Sequence, residues 1–84
     1  MSKISEKRIE QIKANVLRLL YDEAPHSLFT SKIADLEARD KQFILKLLLD
    51  LEKQKIVHQT KSDFKRKRKW TMTDHAYKAY QELL

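Results

Sequence analysis

Residues 56–74 decide the predicted fold class, and they have the sequence IVHQTKSDFKRKRKWTMTD. The β-branched residues at 56–60 predict one strand, and residues 69–72 predict a second. The basic residues between them predict a hairpin loop of about eight residues. Thr73 is the predicted N-cap of a closing helix, and Asp74 lies in its first turn. The segment therefore predicts strand, basic loop, strand and helix in direct succession.

The two ends of the chain are predicted to be helical. The first helix runs from Ser5, its predicted N-cap, to about Asp22, and it ends because Ala24 precedes Pro25 and is pushed out of the α region. Leu17 lies beside the apolar stripe of this helix, either at the core edge or on the surface. The predicted stripes are Ile9, Ile12, Val16, Leu19 and Leu20 in the first helix, and Ala76, Tyr77, Tyr80 and Leu83 in the closing helix.

Two further helices are predicted between these ends. After an extended link at 26–29, Thr30 or Ser31 caps a short second helix. Asp40 caps a third helix, which runs over residues 41–55. The predicted inward residues are Ile33 and Leu36 in the second helix and Ile44, Leu47 or Leu48, and Leu51 in the third. Trp70 is expected to seal the strands against these helices.

The order helix, helix, helix, strand, basic loop, strand, helix resembles a winged-helix domain of the helix-turn-helix superfamily. The likeness rests on residues 29–36 with the helix that follows, and on residues 70–74, where a strand runs straight into a capped helix. Both stretches resemble MarR-like, ArsR-like and PadR-like regulators. The resemblance implies an α+β, mostly α fold over residues 1–84: a three-helix helix-turn-helix core, a two-stranded β-hairpin wing and a C-terminal helix.

The chain departs from these families in its glycine content. Such families usually place Gly where Lys55 stands and often where Ala76 stands, whereas this chain has no Gly. Lys55 is therefore expected either to adopt the left-handed conformation, at a cost of roughly 1 kcal/mol, or to end its helix differently.

Composition excludes several classes of protein. At 84 residues the chain is one domain with a modest core. The absence of Cys excludes a disulfide framework, an iron–sulfur cluster and a cysteine-based zinc site. No apolar run approaches the roughly 18 residues of a membrane span, so we expect no membrane partner and a cytoplasmic or nuclear location.

Basic charge is concentrated in the predicted loop. Residues 61–69 hold six basic side chains against one acidic, and so carry +5 of the net charge of +6. These cations are predicted to bind a phosphate backbone, and Arg66 and Arg68 to enter a narrow minor groove. The candidate nucleic-acid-binding residues of the loop are Lys61, Lys65, Arg66, Lys67, Arg68 and Lys69.

The loop has alternative interpretations. Its composition also fits a solvated loop kept soluble by charge, or a nuclear-import signal. Phe64, inside the loop, either stacks on a base or folds back to shield Trp70, and the second interpretation is favoured.

The third helix stands where winged-helix domains contact the major groove. Its outward candidates are Lys41, Gln42 and Lys46, since Gln can bind adenine and Lys can bind guanine or phosphate. Seven of the nine residues at 43–51 are apolar, which is more than a single core-facing stripe of a helix can contain. Leu45 and Leu49 therefore form either an exposed dimer or partner contact, or the edge of a wide core stripe.

The sequence is compatible with three functions. The leading prediction is a double-stranded DNA-binding transcription regulator that acts as a homodimer. The alternatives are a protein-interaction module that uses Leu45 and Leu49, and an RNA- or ribosome-associated winged helix. The preferred dimer surface combines the terminal helices. Pairing through Leu45 and Leu49 would instead cover the third helix, which is predicted to read the DNA bases and is called the reading helix. The residues of the preferred dimer surface are Leu17, Tyr77, Tyr80, Leu83 and Leu84.

Catalysis has little support in the sequence. His26, His58 and His75 lie far apart with no metal-ligand spacing, and no glycine-rich phosphate loop is present. We therefore expect no enzyme activity, no metal and no cofactor.

Overall fold

A computed structural model describes residues 5–63 and 67–84. Within these ranges the order of elements is the predicted one, with a short additional strand before the second helix. The elements are α1 (Glu6–Glu23), β1 (Leu28–Phe29), α2 (Thr30–Glu37), α3 (Lys41–Lys53), β2 (Val57–Thr60), β3 (Lys69–Met72) and α4 (Asp74–Leu83).

The additional strand changes the sheet. β3 pairs antiparallel with β2 as predicted, and it also pairs antiparallel with β1, so the strand order is β1-β3-β2. Leu28 lies opposite Trp70, and Phe29 lies opposite Lys69. The last two residues of the link expected at 26–29 thus form an edge strand, because their extended backbone pairs with the free side of β3.

Three predicted N-caps are confirmed. The side chains of Ser5, Asp40 and Thr73 each accept a hydrogen bond from the backbone amide three residues further along the chain. α3 ends at Lys53, and Lys55 has a φ of 64°, so the left-handed alternative is the correct one. The backbone N–H of Lys55 donates to the carbonyl of Glu52 and thereby closes the end of the helix.

The prediction that Thr30 or Ser31 caps α2 is wrong. The N-cap of α2 is Phe29, whose side chain makes no capping bond. The Thr30 hydroxyl instead accepts a hydrogen bond from the indole Nε1 of Trp70 at 2.7 Å, in the core. A buried indole N–H requires a hydrogen-bond acceptor. The Thr30 hydroxyl serves as that acceptor for Trp70, which is distant in sequence, and therefore does not cap the helix as the local pattern predicted.

The inward face of α2 also differs from the prediction. Ile33 is buried, but Leu36 is 50% exposed. The buried side consists of Thr30, Ile33 and Ala34, which stand three and four residues apart. Because Thr30 must face Trp70, the helix is rotated so that Ala34 points inward and Leu36 points away from the core.

The core lies between α1, α2, α3 and the sheet. Trp70 is completely buried and seals the sheet against the helices, as predicted. All four candidate residues of α3 are buried, and Leu17 packs against the core edge. The predicted stripe of α4 is only partly correct, because Ala76 is buried whereas Leu83 is 84% exposed. The largest fully buried residues are Trp70, Leu20, Ile33, Ile44, Leu48, Val16 and Val57.

Replacing Thr30 with Val should lower the free energy of unfolding by about 1–3 kcal/mol, because the buried Trp70 N–H would lose its acceptor while the side-chain volume is kept. Urea denaturation followed by tryptophan fluorescence measures this change. Thr30→Ser is the matched control, since it retains the hydroxyl and should lose less stability than Thr30→Val. Equal losses in the two variants would contradict the role given to the hydrogen bond.

Candidate nucleic-acid interface

The outward side of α3 carries amide and cationic side chains. Gln42, Lys46, Leu49 and Lys53 follow one another at steps of four, three and four residues, and therefore lie in one row opposite the buried face. All four are exposed. Lys41, at the first turn, is exposed as well. The sequence interpretation missed Lys53, although the same spacing continued from Gln42 would have found it.

The two candidate leucines of α3 have different environments. Leu49 lies within the outward row and is 39% exposed. Leu45 is half-buried and packs against the core. Of the two predicted alternatives, the edge of a wide core stripe fits Leu45, because residue 45 lies beside the core residues 44 and 48 on the helix surface.

The acidic residues of α3 make specific contacts. The Lys13 Nζ of α1 donates to the Asp50 carboxylate at 2.8 Å, and the Gln54 side chain donates to the same carboxylate at 2.9 Å. The side-chain amide of Gln59 lies 3.3 Å from the Glu52 carboxylate as donor. Asp50 thereby links α3 to α1.

The contact with Lys13 changes the ionisation of both partners. The hydrogen bond and positive charge of Lys13 hold the pKa of Asp50 below its ordinary value of 3.8. The hydrogen bond from Lys13 to Asp50 raises the pKa of Lys13, and burial opposes this effect. The two directions agree, so each group favours the charged form of the other.

The basic loop is described only in part. Lys61, Lys67 and Arg68 are exposed, and Lys69 is half-buried at the start of β3. The candidates Lys65 and Arg66, and the position expected for Phe64, lie outside the described residues. The structure therefore describes the loop at its two ends, residues 61–63 and 67–69.

The start of β3 is attached to the start of α2. The Thr30 backbone N–H donates to the Arg68 carbonyl at 3.1 Å. The ammonium groups of Lys67 and Lys69 lie 5.8 and 5.3 Å from the centre of the Phe29 ring. Phe29 was not among the sequence-derived candidates, because its proximity to these lysines depends on the pairing of β1 with β3.

The tyrosines of α4 pack within the chain. The Tyr21 ring of α1 lies 4.8 Å from the Tyr77 ring, nearly parallel to it, and 4.8 Å from the Tyr80 ring. Burial in this cluster raises the pKa of Tyr21. Leu17, by contrast, lines a groove with Leu51, Gln54 and Ile56. The sequence-derived surface is therefore divided: Leu17 lies on another groove, and Leu83 and Leu84 extend beyond the tyrosines with exposures of 84% and 75%.

The histidines are exposed and lie on separate segments. Among residues 5–63 and 67–84, no group of three or more His, Asp or Glu side chains is placed to hold a metal ion. Of the helices in the same part of the chain, none combines the length and apolar character that crossing a membrane requires.

Sequence comparison finds no matching protein-family model and no matching curated protein. Solved structures do match. MepR of Staphylococcus aureus in complex with DNA superposes with a TM-score of 0.76 at 20% identity, over 93% of this chain and 68% of that chain. ZitR of Lactococcus lactis superposes with a TM-score of 0.74 at 20% identity, over 99% of this chain and 56% of that chain.

These neighbours define the class of fold. MepR and ZitR are MarR-family winged-helix regulators, so the predicted resemblance and the predicted winged-helix fold are confirmed. MepR is a transcription regulator of the Staphylococcus aureus multidrug efflux pump MepA. A further structure of MepR superposes with a TM-score of 0.73 at 21% identity, over 93% of this chain and 63% of that chain. The chain spans 53% and 57% of the length of two other matched MepR and ZitR structures.

Replacing Asp50 with Asn should lower the free energy of unfolding at neutral pH, and the loss should shrink in acid. Since the pKa of Asp50 is lowered by folding, its stabilising effect is present above the unfolded-state pKa near 4 and disappears as pH falls through the lower folded-state value. Urea denaturation of both proteins between about pH 7 and pH 2.5 measures the difference.

The control for this experiment is Asp35→Asn, which removes an exposed carboxylate from α2. It tests whether removing any carboxylate gives the same pH dependence. A difference between wild type and Asp50→Asn that stays constant down to about pH 2.5 would contradict the stabilising role of the Lys13 contact.

Proposed function

We propose that this chain is a double-stranded DNA-binding domain of a transcription regulator. α3 enters the major groove, and the basic wing between β2 and β3 contacts the flanking backbone or minor groove. The observation that carries the proposal is the outward row of α3, in which Gln42, Lys46 and Lys53 are exposed on a helix whose opposite face is anchored in the core.

The dimensions and chemistry of this row suit the major groove. Gln42 and Lys53 are eleven positions apart in sequence, which corresponds to about 16 Å along the helix axis. A B-DNA major groove about 12 Å wide admits a helix of this kind. Gln42 can bind adenine through two hydrogen bonds, Lys46 can bind guanine, and Leu49 can contact the methyl group of thymine.

The wing supports the same function through charge. Lys67 and Arg68 are exposed at one end of the loop and Lys61 at the other, so the described part of the wing is already cationic. Lys65 and Arg66 belong to the same proposed contact. The solved MepR–DNA complex shares the fold and supports DNA as the partner.

Two other partners remain candidates for the same surfaces. Phosphates of duplex RNA would also attract the wing, although the deep and narrow major groove of A-form RNA does not admit α3. A protein partner is favoured by one observation, the 39% exposure of Leu49. The cations Lys46 and Lys53 on either side of Leu49 favour a nucleic acid over an apolar protein groove.

The wing and α3 should respond differently to mutation. Arg66→Ala with Arg68→Ala should weaken binding to all duplexes similarly and reduce the salt slope by about 0.9 for each phosphate that is no longer neutralised. Gln42→Ala and Lys46→Ala should each reduce the preference for a selected site over random DNA by about 1–3 kcal/mol for each bidentate hydrogen-bonded pair that is removed. Fluorescence anisotropy at several salt concentrations measures both effects.

Matched controls are available on other surfaces. Lys78→Ala removes an exposed cation from α4, and Gln11→Ala removes an exposed amide from α1. Both should bind as wild type does. Parallel titrations with duplex DNA, single-stranded DNA and duplex RNA identify the ligand. Tighter binding to duplex RNA, or a flat response to all three at low salt, would contradict the proposed function.

We further propose that the chain acts as a homodimer through its terminal helices. One reading helix contacts only a few base pairs, whereas two-fold pairing doubles the contacts and sets half-sites about one DNA turn apart. Leu83 and Leu84 are the most exposed large apolar residues of the described chain, and they follow the tyrosine cluster on α4. Pairing there leaves α3 and the wing accessible. Tyr77 and Tyr80 are the remaining proposed contacts, whereas Leu17 lines a separate groove and is left out of the surface.

Leu83→Glu or Leu84→Glu should give a folded monomer with much weaker DNA binding, because a carboxylate would be buried in the interface. These variants are preferable to Tyr80→Glu, which would also break the contact with Tyr21. Sedimentation velocity measures the assembly and circular dichroism the fold. If Leu49→Glu alone produces the monomer, α3 is buried in the dimer and the proposed groove contact is excluded.

A further inference from the structure

The Phe29 ring lies beside the ammonium groups of two lysines, Lys67 and Lys69. Phe29 is paired with Lys69 across β1 and β3, and side chains of directly paired residues stand on the same face of a sheet. Lys67 lies two residues before Lys69, just outside the strand, and its ammonium group also lies over the Phe29 ring. Both ammonium groups lie within the roughly 6 Å over which a cation is attracted to an aromatic ring.

Both chain neighbours of Phe29 are held by buried contacts. Its neighbour Leu28 points to the other face of the sheet and is buried opposite Trp70. The next residue, Thr30, binds the Trp70 indole through its hydroxyl and the Arg68 carbonyl through its amide. The Phe29 ring, which is half-buried, lies beside residues 67–69, where the basic loop joins β3.

We propose that Phe29 is a positioning residue for DNA binding. Its ring holds Lys67 and Lys69 together as a phosphate-binding pair at the root of the wing, which we define as residues 67–69, where the basic loop joins β3. This inference rests on the proposed DNA-binding function. Each ammonium group carries three N–H donors, and the ring contacts only one side of it. Because the side chains are ordered before binding, less conformational entropy is lost when they contact phosphate.

The pairing also has an electrostatic consequence. Two ammonium groups on one ring repel each other, and an anion placed beside both relieves that repulsion. A phosphodiester group of the DNA backbone supplies this charge. The root of the wing then contacts DNA independently of the base contacts made by α3.

The first test compares Phe29→Leu with Phe29→Tyr. Phe29→Leu should weaken duplex DNA binding about three- to tenfold, because the apolar volume is largely kept but the aromatic face is removed. Phe29→Tyr, which keeps that face, should bind within about twofold of wild type. The salt slope should be unchanged in both variants, whereas Lys67→Gln and Lys69→Gln should each lower it by about 0.9.

A double-mutant cycle separates positioning from a general structural role. In a chain that carries both Lys67→Gln and Lys69→Gln, Phe29→Leu should reduce DNA affinity by a smaller factor than it does in the wild-type chain. In the free protein, the side-chain CH₂ protons of the two lysines should show ring-current shifts in NMR spectra that disappear in Phe29→Leu and persist in Phe29→Tyr.

The outcomes distinguish this inference from the function on which it rests. If wild type binds duplex DNA but Phe29→Leu weakens binding equally with and without the two lysines, the positioning role is overturned and the proposed function stands. Absence of the ring-current shifts also overturns the positioning role. A wild-type chain that binds no duplex DNA overturns both.

Discussion

The hydrogen bond from the Trp70 indole to the Thr30 hydroxyl is the contact on which the rest of the structure depends. It joins the middle of β3 to the first residue of α2 inside the core. α2 leads through the left-handed residue Ala38 to α3, and β3 begins where the basic loop ends. One buried contact therefore fixes both proposed DNA-binding elements to a common framework. A buried indole without an acceptor would cost free energy, so the arrangement is strongly preferred over a slipped one.

The electrostatic pattern of α3 follows from its neighbours. Asp50 faces Lys13 of α1, and Glu52 faces Gln59 of β2. These contacts place the acidic side chains of the helix beside the protein's own polar groups. The outward row is left with Lys46 and Lys53 as its charged members, which would favour an anionic surface. The polarity of the proposed interface thus results from the tertiary arrangement as much as from the composition of the helix.

The two ends of the chain have a different relation to the core. α1 packs on it along its length through Ile12, Val16 and Leu20. α4 has Ala76 as its buried residue, and Tyr77 and Tyr80 reach α1 through Tyr21. An aromatic cluster of this kind needs few residues to hold a helix. It leaves Leu83 and Leu84 exposed, and they are the basis of the proposed dimer surface.

The sequence by itself determined the features that depend on local chemistry. The N-caps at Ser5, Asp40 and Thr73, the buried face of α3 and the strand at 69–72 follow from spacing and short-range hydrogen bonding. The charge of the wing is likewise a property of consecutive residues. Of the proposed DNA contacts on α3, Gln42 and Lys46 were found because the helix period places them opposite the core.

Only the tertiary structure decided the features that depend on residues distant in sequence. Thr30 and Trp70 are forty residues apart, so the local capping signal gave no indication of their bond. The same bond set the rotation of α2 and exposed Leu36. Phe29 met its lysines only when β1 paired with β3. A local pattern specifies which conformation a segment prefers, but the partner that each side chain finds is settled by how the segments pack together.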